Sequence, residues 1–225
     1  MRGFAPRCLL CGDPGDDGLA LCRGCDADLP RIAAACSRCG EPLPETGAGV
    51  PPLTVCGACL WRPPAFAAIH VPFRYASPID WLVHRLKFRG DLVAGRLLGG
   101  LLSRELGPQL AVAGIDCVVP LPLHAARLAD RGFNQALEIA RPLARGLGAR
   151  CGHAALVRVR RTSPQMELPA RRRRANVRGA FAAAAVAGHV LLVDDVVTTA
   201  ATVREAAAAL ARGGARVTVA AVARA

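Results

Sequence analysis

Aromatic residues and lysine are both scarce in this sequence of 225 residues. Aromatic side chains make up 4% of the chain, and Lys87 is the single lysine among 29 lysine and arginine residues. Few aromatic rings leave few platforms on which single-stranded bases could stack. Because arginine replaces lysine throughout the chain, the choice of arginine at any one position carries little information about function.

Long apolar segments are also missing. The most continuously apolar uncharged stretch runs over 14 residues, from Ala180 to Val193, whereas a membrane-spanning helix needs about 20. The N-terminus has no apolar run of signal-peptide length before Cys8. We therefore expect no membrane insertion and a cytoplasmic location. A hydrophobic content of 52% excludes a wholly disordered chain.

Acidic residues are outnumbered, and the imbalance is local. The chain has 29 Lys+Arg against 17 Asp+Glu, which gives a net charge of +12. Residues 1–59 nevertheless carry five arginines and seven acidic residues, a net charge of −2. Residues 158–178 carry eight arginines and one Glu, a net charge of +7. The excess positive charge therefore belongs to the larger C-terminal part.

Cysteine is nearly absent after residue 59, where only Cys117 and Cys151 remain. The other eight cysteines form four Cys-x-x-Cys pairs, and two such pairs supply the four thiolates that structural zinc prefers. Disulfides or a redox dithiol explain four successive pairs in a cytoplasmic chain less well than zinc binding does. We therefore predict two structural zinc ions. Their ligands are Cys8, Cys11, Cys22, Cys25, Cys36, Cys39, Cys56 and Cys59.

The spacing leaves the sharing of the pairs open. Sequential sharing separates the paired knuckles by 10 residues in the first set and 16 in the second, both suitable hairpin lengths, and crossed sharing is the open alternative. Ligation by four sulfurs leaves no position for a substrate, so the ions are expected to be structural. Pro63-Pro64 marks a linker. We therefore expect a double zinc ribbon over residues 1–62 and a second domain over residues 63–225, with metal binding supplying folding free energy to the first.

The second domain alternates strand and helix patterns, which is typical of a parallel α/β sheet. A start signal at Ser77, as N-cap, and Pro78, as first helical residue, opens the first predicted helix, which ends before Gly90. Further helices are predicted over residues 92–106, 134–147 and 202–211. Strands are predicted over residues 65–75, 115–119, 190–193 and 217–222, with an apolar piece at 155–159.

The strand at 190–193 leads directly into Asp194, Asp195 and a hydroxyl-rich helix start at residues 198–202. Ligands of open α/β sheets bind at this end of the strands. The backbone N–H groups, the threonine hydroxyls and the helix dipole suit a phosphate. The acids would repel that phosphate, so they should face hydroxyl groups or a cation, which predicts a ligand with a phosphate, a diol and Mg²⁺. The alternative is a buried strand with a polar helix cap.

The pattern Asp-Asp-x-x-Thr-Thr-x-x-Thr at 194–202 resembles the phosphoribosyl pyrophosphate (PRPP) motif of type I phosphoribosyltransferases. With the cysteine pairs and the segments at 86–90, 119–124, 131–135 and 161–181, the chain is similar to the ComF family of competence-associated phosphoribosyltransferase-like proteins. The resemblance implies an α/β fold: a type I phosphoribosyltransferase-like parallel sheet flanked by helices, with a small N-terminal zinc-ribbon module.

The resemblance also implies roles for individual residues. Asp194 and Asp195 would hold the ribose hydroxyls, and region 158–174 would form a mobile flap. The residues implied to hold the 5-phosphate are Thr198, Thr199, Ala200, Ala201 and Thr202. Those implied to meet pyrophosphate, within the loop 119–124, are Pro120, Leu121 and Pro122. The candidate cationic helpers are Lys87, Arg131 and Arg161.

The implied reaction transfers phosphoribosyl from PRPP, with Mg²⁺, to an unidentified nitrogen acceptor and releases pyrophosphate. Ala200 stands where the family pattern usually has Gly, which restricts φ and adds a methyl group where the backbone should approach phosphate. The second hypothesis is a noncatalytic DNA-uptake factor that binds single-stranded DNA or a helicase partner. Residues 171–174, four arginines, fit a flap, a nucleic-acid patch or a solvated surface. Trp61 and Trp81 are interpreted as packing residues.

Overall fold

The computed structural model describes residues 6–44, 54–160 and 176–225. Its helices are α1 (Arg23–Ala27), α2 (Gly57–Trp61), α3 (Ile79–Arg89), α4 (Leu92–Ala113), α5 (Ala125–Arg131), α6 (Gln135–Leu147) and α7 (Ala201–Arg212). Its strands are β1 (Ala68–His70), β2 (Phe73–Arg74), β3 (Cys117–Pro120), β4 (Arg150–Cys151), β5 (Leu156–Arg158), β6 (Phe181–Ala183), β7 (His189–Val197) and β8 (Arg216–Arg224).

The strands form a six-stranded sheet in the order β1-β8-β7-β3-β4, with β2 pairing β8 as well. Every pairing within this sheet is parallel. Strands β5 and β6 form a separate antiparallel pair. The predicted parallel α/β sheet with flanking helices is therefore confirmed, and its strands bring their carboxyl ends to one edge.

Side chains of the central strand β7 alternate between two apolar cores. Leu191 and Val193 pack into the core formed with α3, α4 and α6. Val190 and Leu192 pack into the opposite core, which contains the buried residues of α7. Because both faces of the strand are covered, its sequence is apolar without interruption, as expected for a parallel sheet buried on both sides.

Several boundaries differ from the predictions. Helix α3 begins at Ile79, and the residue before it, Pro78, makes no side-chain cap hydrogen bond, so the prediction of Ser77 as N-cap was wrong. Helix α4 continues through Pro108 to Ala113, because Leu106 and Leu110 keep its apolar face buried beyond the proline. Although α4 has 22 residues, no helix in the described part of the chain has both the length and the hydropathy of a membrane span.

The cysteine-rich segment covers the β1 edge of the sheet. The backbone N–H of Ile69 donates to Ser37 O at 2.9 Å, and the N–H of Arg74 donates to Pro30 O at 2.8 Å. The N–H of Ile32 likewise donates to a carbonyl of the chain between β1 and β2, at 2.8 Å. An uncovered edge strand would expose unpaired backbone groups. The N-terminal module therefore completes the sheet domain instead of being joined to it only by a linker.

Candidate metal centres and ligand cavity

Two sets of four cysteines each bring their sulfurs together. In each set all four Sγ atoms lie within 4.8 Å of one another, and the sharing of pairs is sequential. Sγ of Cys11 lies 3.5 Å from Sγ of Cys22, and Sγ of Cys39 lies 3.6 Å from Sγ of Cys56. Tetrahedral ligation with Zn–S bonds of about 2.3 Å places sulfurs about 3.8 Å apart. Both sets fit a zinc ion. We call Cys8, Cys11, Cys22 and Cys25 the first tetrad and Cys36, Cys39, Cys56 and Cys59 the second tetrad.

Each tetrad combines one glycine turn with one helix start. The glycines after the first pair of each tetrad, Gly12 and Gly40, have φ of +86° and +72°, and their N–H groups bond back to the first cysteine's carbonyl at 3.0 and 2.8 Å. The second pairs instead begin α1 and α2, with Cys22 and Cys56 as the N-cap residues. The glycine placement visible in the sequence therefore reflects two kinds of turn that aim thiolates inward.

One buried cysteine of each tetrad, Cys8 in the first and Cys36 in the second, has a lowered pKa that favours the thiolate. Burial raises the pKa of Cys8, but hydrogen bonds from the backbone of Cys11, Cys22 and Leu10 outweigh it and lower the pKa to about 6. The pKa of Cys36 is lowered to about 7 by backbone hydrogen bonds that likewise oppose its burial. Since zinc binds the deprotonated form, these donors favour ligation.

A cavity of about 660 Å³ lies at the edge where the parallel strands end. Its walls come from chain that follows four strands: Tyr75 after β2, residues 121–123 after β3, residues 198–203 after β7 and Ala225 after β8. This is the place where open α/β sheets bind ligands. The fold therefore places the loop at 198–202 at the wall of a large concave site.

The acids reach this cavity because β7 is longer than its neighbour. Strand β3 ends at Pro120, which pairs with Val193, so Asp194 and Asp195 extend beyond β3, while β8 still pairs with Asp194 and Val196. Both acids are buried, with 7% and 3% exposure. The N–H of Asp195 donates to Asp194 Oδ1 at 2.8 Å. The strand thus fixes two adjacent carboxylates at the cavity wall.

The only lysine of the chain neutralises one of these acids. Lys87 Nζ, on α3, lies 2.8 Å from Asp195 Oδ2. Burial opposes the charge of Lys87, but the attraction of Asp195 and Asp194 prevails and raises its pKa. Burial, and then the neighbouring charge of Asp195, raises the pKa of Asp194 to about 8. At neutral pH Asp194 therefore keeps its proton, and Asp195 is paired with Lys87.

The loop before α7 lines the same cavity. Thr198, Thr199 and Thr202 line the cavity at the N-terminus of this 12-residue helix. Ala200 adopts a left-handed conformation with φ of +57° and is buried. An alanine pays roughly 1–2 kcal/mol for this conformation. The position thus keeps the backbone conformation of a glycine although its residue is alanine.

Two cavity arginines, Arg127 and Arg158, were not named individually by the sequence analysis. Together with Lys87 and Arg131 they give the cavity four cationic side chains against two carboxylates. Arg131 donates to Gln135 Oε1 at 2.6 Å, and burial lowers its pKa. Burial, with repulsion from Arg127, also lowers the pKa of Arg158. Arg127 could not be singled out because α5, which carries it, was not predicted.

The structure brings most of the predicted ligand-binding residues to one place. The cavity lining includes Lys87, Leu121, Pro122, Arg131, Asp194, Asp195, Thr198, Thr199, Ala200, Ala201 and Thr202. Pro120 is buried as the last residue of β3, before the chain enters the cavity wall. Asn134 supports that wall, since its Nδ2 donates to Leu121 O at 3.1 Å. Arg161 and the arginines at 171–174 lie outside the described residues.

Comparison with known proteins agrees with this architecture. Residues 3–60 match the family model of the double zinc ribbon domain. The DNA utilization protein YhgH of Salmonella typhi is 36% identical over 178 residues, which cover 77% of this chain and 76% of that protein. Competence protein F of Haemophilus influenzae is 30% identical over 188 residues, covering 82% and 79%.

A solved structure, Leishmania donovani UMP synthase, matches with a TM-score of 0.34 and 19% identity. The match covers 62% of this chain and 24% of the synthase, and at that similarity it does not define the fold. The sheet topology and the cysteine tetrads themselves define a parallel α/β protein that carries an N-terminal double zinc ribbon. With YhgH and competence protein F as relatives over most of their length, the chain belongs to the ComF family.

Proposed function

We propose that the cavity binds PRPP and that the chain acts as a phosphoribosyltransferase-like protein. The observation that carries this proposal is the convergence of the acid pair at 194–195 and the loop at 198–202 on one cavity at the carboxyl edge of the sheet. The loop supplies a helix N-terminus for the 5-phosphate. Two residues, Val196 and Val197, separate the acids from this loop in the same segment, and there the acids would accept hydrogen bonds from the ribose hydroxyls.

The charge of the cavity supports an anionic ligand. Lys87 is paired with Asp195, and Asp194 retains a proton at neutral pH because its pKa is raised to about 8. The acid pair is therefore close to neutral, and Arg127, Arg131 and Arg158 leave the site net positive. Pyrophosphate is the most highly charged part of PRPP. We place it toward these arginines and the loop 121–123.

In a transfer reaction, a nitrogen nucleophile would displace pyrophosphate from ribose C1 through a positively charged sugar. Mg²⁺, when bound with PRPP, would supply positive charge to the leaving group. The residues of this chain would hold the 5-phosphate and ribose still, and the arginines would stabilise the charge that develops on pyrophosphate. No step in this scheme requires a covalent bond to the protein. The acceptor is a nitrogen compound of unassigned identity.

Calorimetric titration of PRPP with Mg²⁺ into the zinc-loaded chain tests the proposal. We expect wild-type protein to bind and the double variant Asp194→Asn, Asp195→Asn to lose binding. A control variant, Asp28→Asn with Asp130→Asn, alters exposed acids at the end of α1 and in α5 and should bind as wild type does. A wild-type chain that does not bind PRPP, or an acid variant that binds it normally, would overturn the proposal.

A role in DNA uptake is the second candidate. Its support is the names of the relatives, DNA utilization protein and competence protein, together with the position of Trp61. The expectation that Trp61 packs was wrong: its side chain is 88% exposed, beside the exposed Leu60 and Arg62. An exposed indole beside arginine suits stacking with a base of single-stranded DNA.

Anisotropy titrations with a labelled single-stranded oligonucleotide test this second role. Trp61→Ala should weaken binding at every salt concentration, because stacking is not an ionic interaction. Neutralising residues 171–174 should instead reduce the salt dependence of binding. Trp81→Ala is the matched control, since Trp81 already stacks on Arg85, whose guanidinium carbon lies 4.7 Å from its ring centre. Wild-type affinity in both test variants would reject the role.

A further inference from the structure

Arg204 of α7 connects the second tetrad to the phosphate loop. Its Nη2 donates to Sγ of Cys59 at 3.4 Å, and its Nη1 donates to the carbonyl of Arg62 at 3.4 Å. Its backbone N–H donates to the carbonyl of Ala200 at 2.9 Å. One residue thus contacts a cysteine of the second tetrad with its side chain and the left-handed residue of the loop with its backbone.

Arg224 makes a second connection on the other side of the loop. Its Nη1 donates to the carbonyl of Val197 at 3.3 Å, immediately before Thr198. Its Nη2 pairs with the carboxylate of Glu41. The backbone carbonyl of Glu41 in turn accepts from the N–H of Cys36 at 2.8 Å. The loop at 198–200 is therefore flanked by two arginines: Arg204 contacts Cys59 directly, and Arg224 is connected to Cys36 only through Glu41.

The chemistry of the Arg204 contact makes it sensitive to metal. A guanidinium N–H near a thiolate is a typical partner of a metal-bound sulfur, since it orients the ligand and compensates the charge of four thiolates on one Zn²⁺. If the tetrad loses its zinc, Sγ of Cys59 is no longer held in place by the metal, and Arg204 loses a partner at a fixed position. The first turn of α7 would then lose a restraint at Arg204.

We propose that Arg204 is a positioning residue that couples zinc in the second tetrad to ligand binding at residues 198–202. This inference rests on the proposed binding of PRPP. It assigns the second zinc a role beyond folding its own ribbon: the metal fixes a thiolate, the thiolate fixes Arg204, and Arg204 holds the loop in the conformation that receives the 5-phosphate. Because coupling between two sites is reciprocal, bound PRPP must also increase the affinity of the second tetrad for zinc.

The first tetrad provides the internal control. Its module contacts α4, where Asp26 pairs with Arg104 at 2.5 Å and Arg31 pairs with Glu105 at 3.0 Å. Leu19 lies against Gly100, at which a Cβ atom would come within 2.5 Å of Leu19 Cδ2. Arg104 is thus matched to Arg204: each is an arginine on a helix of the sheet domain that contacts one zinc ribbon.

The first arm of the experiment measures PRPP binding by calorimetry. Arg204→Met keeps most of the side-chain length but removes the donors, and we expect it to weaken PRPP binding about tenfold, the lower end of what loss of such a partner costs a metal site. Arg204→Lys, which keeps one cationic donor, should recover part of the affinity. Arg104→Met should bind PRPP as wild type does. Unchanged affinity in Arg204→Met would overturn the inference.

The second arm measures zinc directly, and its main comparison, with and without PRPP, uses wild-type protein and does not depend on whether a variant folds. Zinc release to a chromogenic chelator should occur in two phases, and saturating PRPP should slow one of them. Arg204→Met should accelerate that same phase about tenfold and make it insensitive to PRPP, while Arg104→Met should leave it unchanged. Release that PRPP does not affect in wild type, under conditions where calorimetry shows it bound, would contradict the coupling.

The two arms separate this inference from the proposed function. A wild-type chain that does not bind PRPP would reject the proposed function and the coupling with it. A wild-type chain that binds PRPP, with Arg204→Met binding equally well, would reject the coupling alone.

Discussion

The two cysteine tetrads share one design but contact different parts of the molecule. Each combines a glycine turn with a short helix, and each brings four sulfurs within 4.8 Å. The first rests on α4 through Asp26, whereas the second contacts α7 through Cys59. The role of a metal site therefore depends on what its surroundings contact as well as on its ligands.

The first ribbon stabilises a helix that lies away from the cavity lining, and the second adjoins the loop that lines it. Both supply folding free energy to a segment with little apolar core. Only the second has contacts, through Arg204 and Arg224, to residues on either side of Thr198 within the described chain. Substitutions in the two ribbons should therefore affect the cavity to different degrees.

Removal of one tetrad at a time should give the largest difference. Cys8→Ser with Cys11→Ser, and separately Cys36→Ser with Cys39→Ser, should each lose about one zinc per chain and lower the melting temperature, because structural zinc contributes folding free energy. Metal analysis and calorimetry on the folded fraction measure the outcome. The second pair of substitutions should weaken PRPP binding by at least about tenfold, and the first should leave it nearly unchanged.

Equal loss of PRPP binding in both double variants would contradict the proposed difference between the two ribbons, since both would then act only through overall stability. A preparation of wild-type protein that is folded, soluble and free of zinc would contradict the metal assignment for both.

The free energy of unfolding should depend on pH in opposite senses at Asp194 in the cavity and at Asp26 in the first ribbon. Asp194 has its pKa raised from 3.8 to about 8 by burial and by Asp195. The folded state therefore keeps a proton that the unfolded state has lost, so this residue's contribution is complete below pH 4 and falls as the pH rises to 8. The loss amounts to about 1.4 kcal/mol per pH unit while the proton is retained.

Chemical denaturation at pH 5, 6.5 and 8 measures this contribution. Asp194→Asn should gain stability relative to wild type as the pH rises, and comparison at each pH cancels the titration of the cysteine ligands. A constant difference between the two proteins across this range would contradict the raised pKa.

Asp26 in the first ribbon should behave in the opposite sense and with a smaller effect. Burial opposes its charge, but Arg104 and Arg31 prevail and lower its pKa. Its contribution is therefore present above pH 4 and disappears as the pH falls through the folded pKa. Asp26→Asn should cost about 1 kcal/mol at pH 7, as expected for a partly exposed ion-pair network. Denaturation measures the cost, and PRPP affinity should not change.

The smallest effect is expected at Ala200. Ala200→Gly relieves a left-handed conformation that costs roughly 1–2 kcal/mol, but it removes a buried methyl group worth about 0.8 kcal/mol and loosens the unfolded chain. The net change in the free energy of unfolding should lie within about 1 kcal/mol, with PRPP affinity equal to or above that of wild type. A clear fall in affinity would show that the methyl group assists the loop.

Much of the candidate site could be predicted from local sequence. The acid pair and the loop at 198–202 form one continuous segment, so a strand, a turn and a helix start are visible without tertiary contacts. Helix α5 was missed because it has seven residues and no buried residue, so it lacks the apolar periodicity that marks longer helices. His124 caps it, since Nδ1 accepts from the N–H of Ala126 at 3.2 Å. Arg127 lies on this helix and lines the cavity, so it could not be predicted as a site residue.

Two features could be predicted from the sequence alone: eight cysteines in pairs of one spacing, which indicate four-sulfur sites, and an apolar strand that leads into two acids and a helix start. Both are local, because thiolate turns and helix starts are set by neighbouring residues. Tertiary structure decided which cysteines share a site, that Lys87 meets Asp195, and that Arg204 meets Cys59. The last of these contacts joins residues 145 positions apart, and such a contact depends on how the sheet orders its strands and where the ribbons cover its edge.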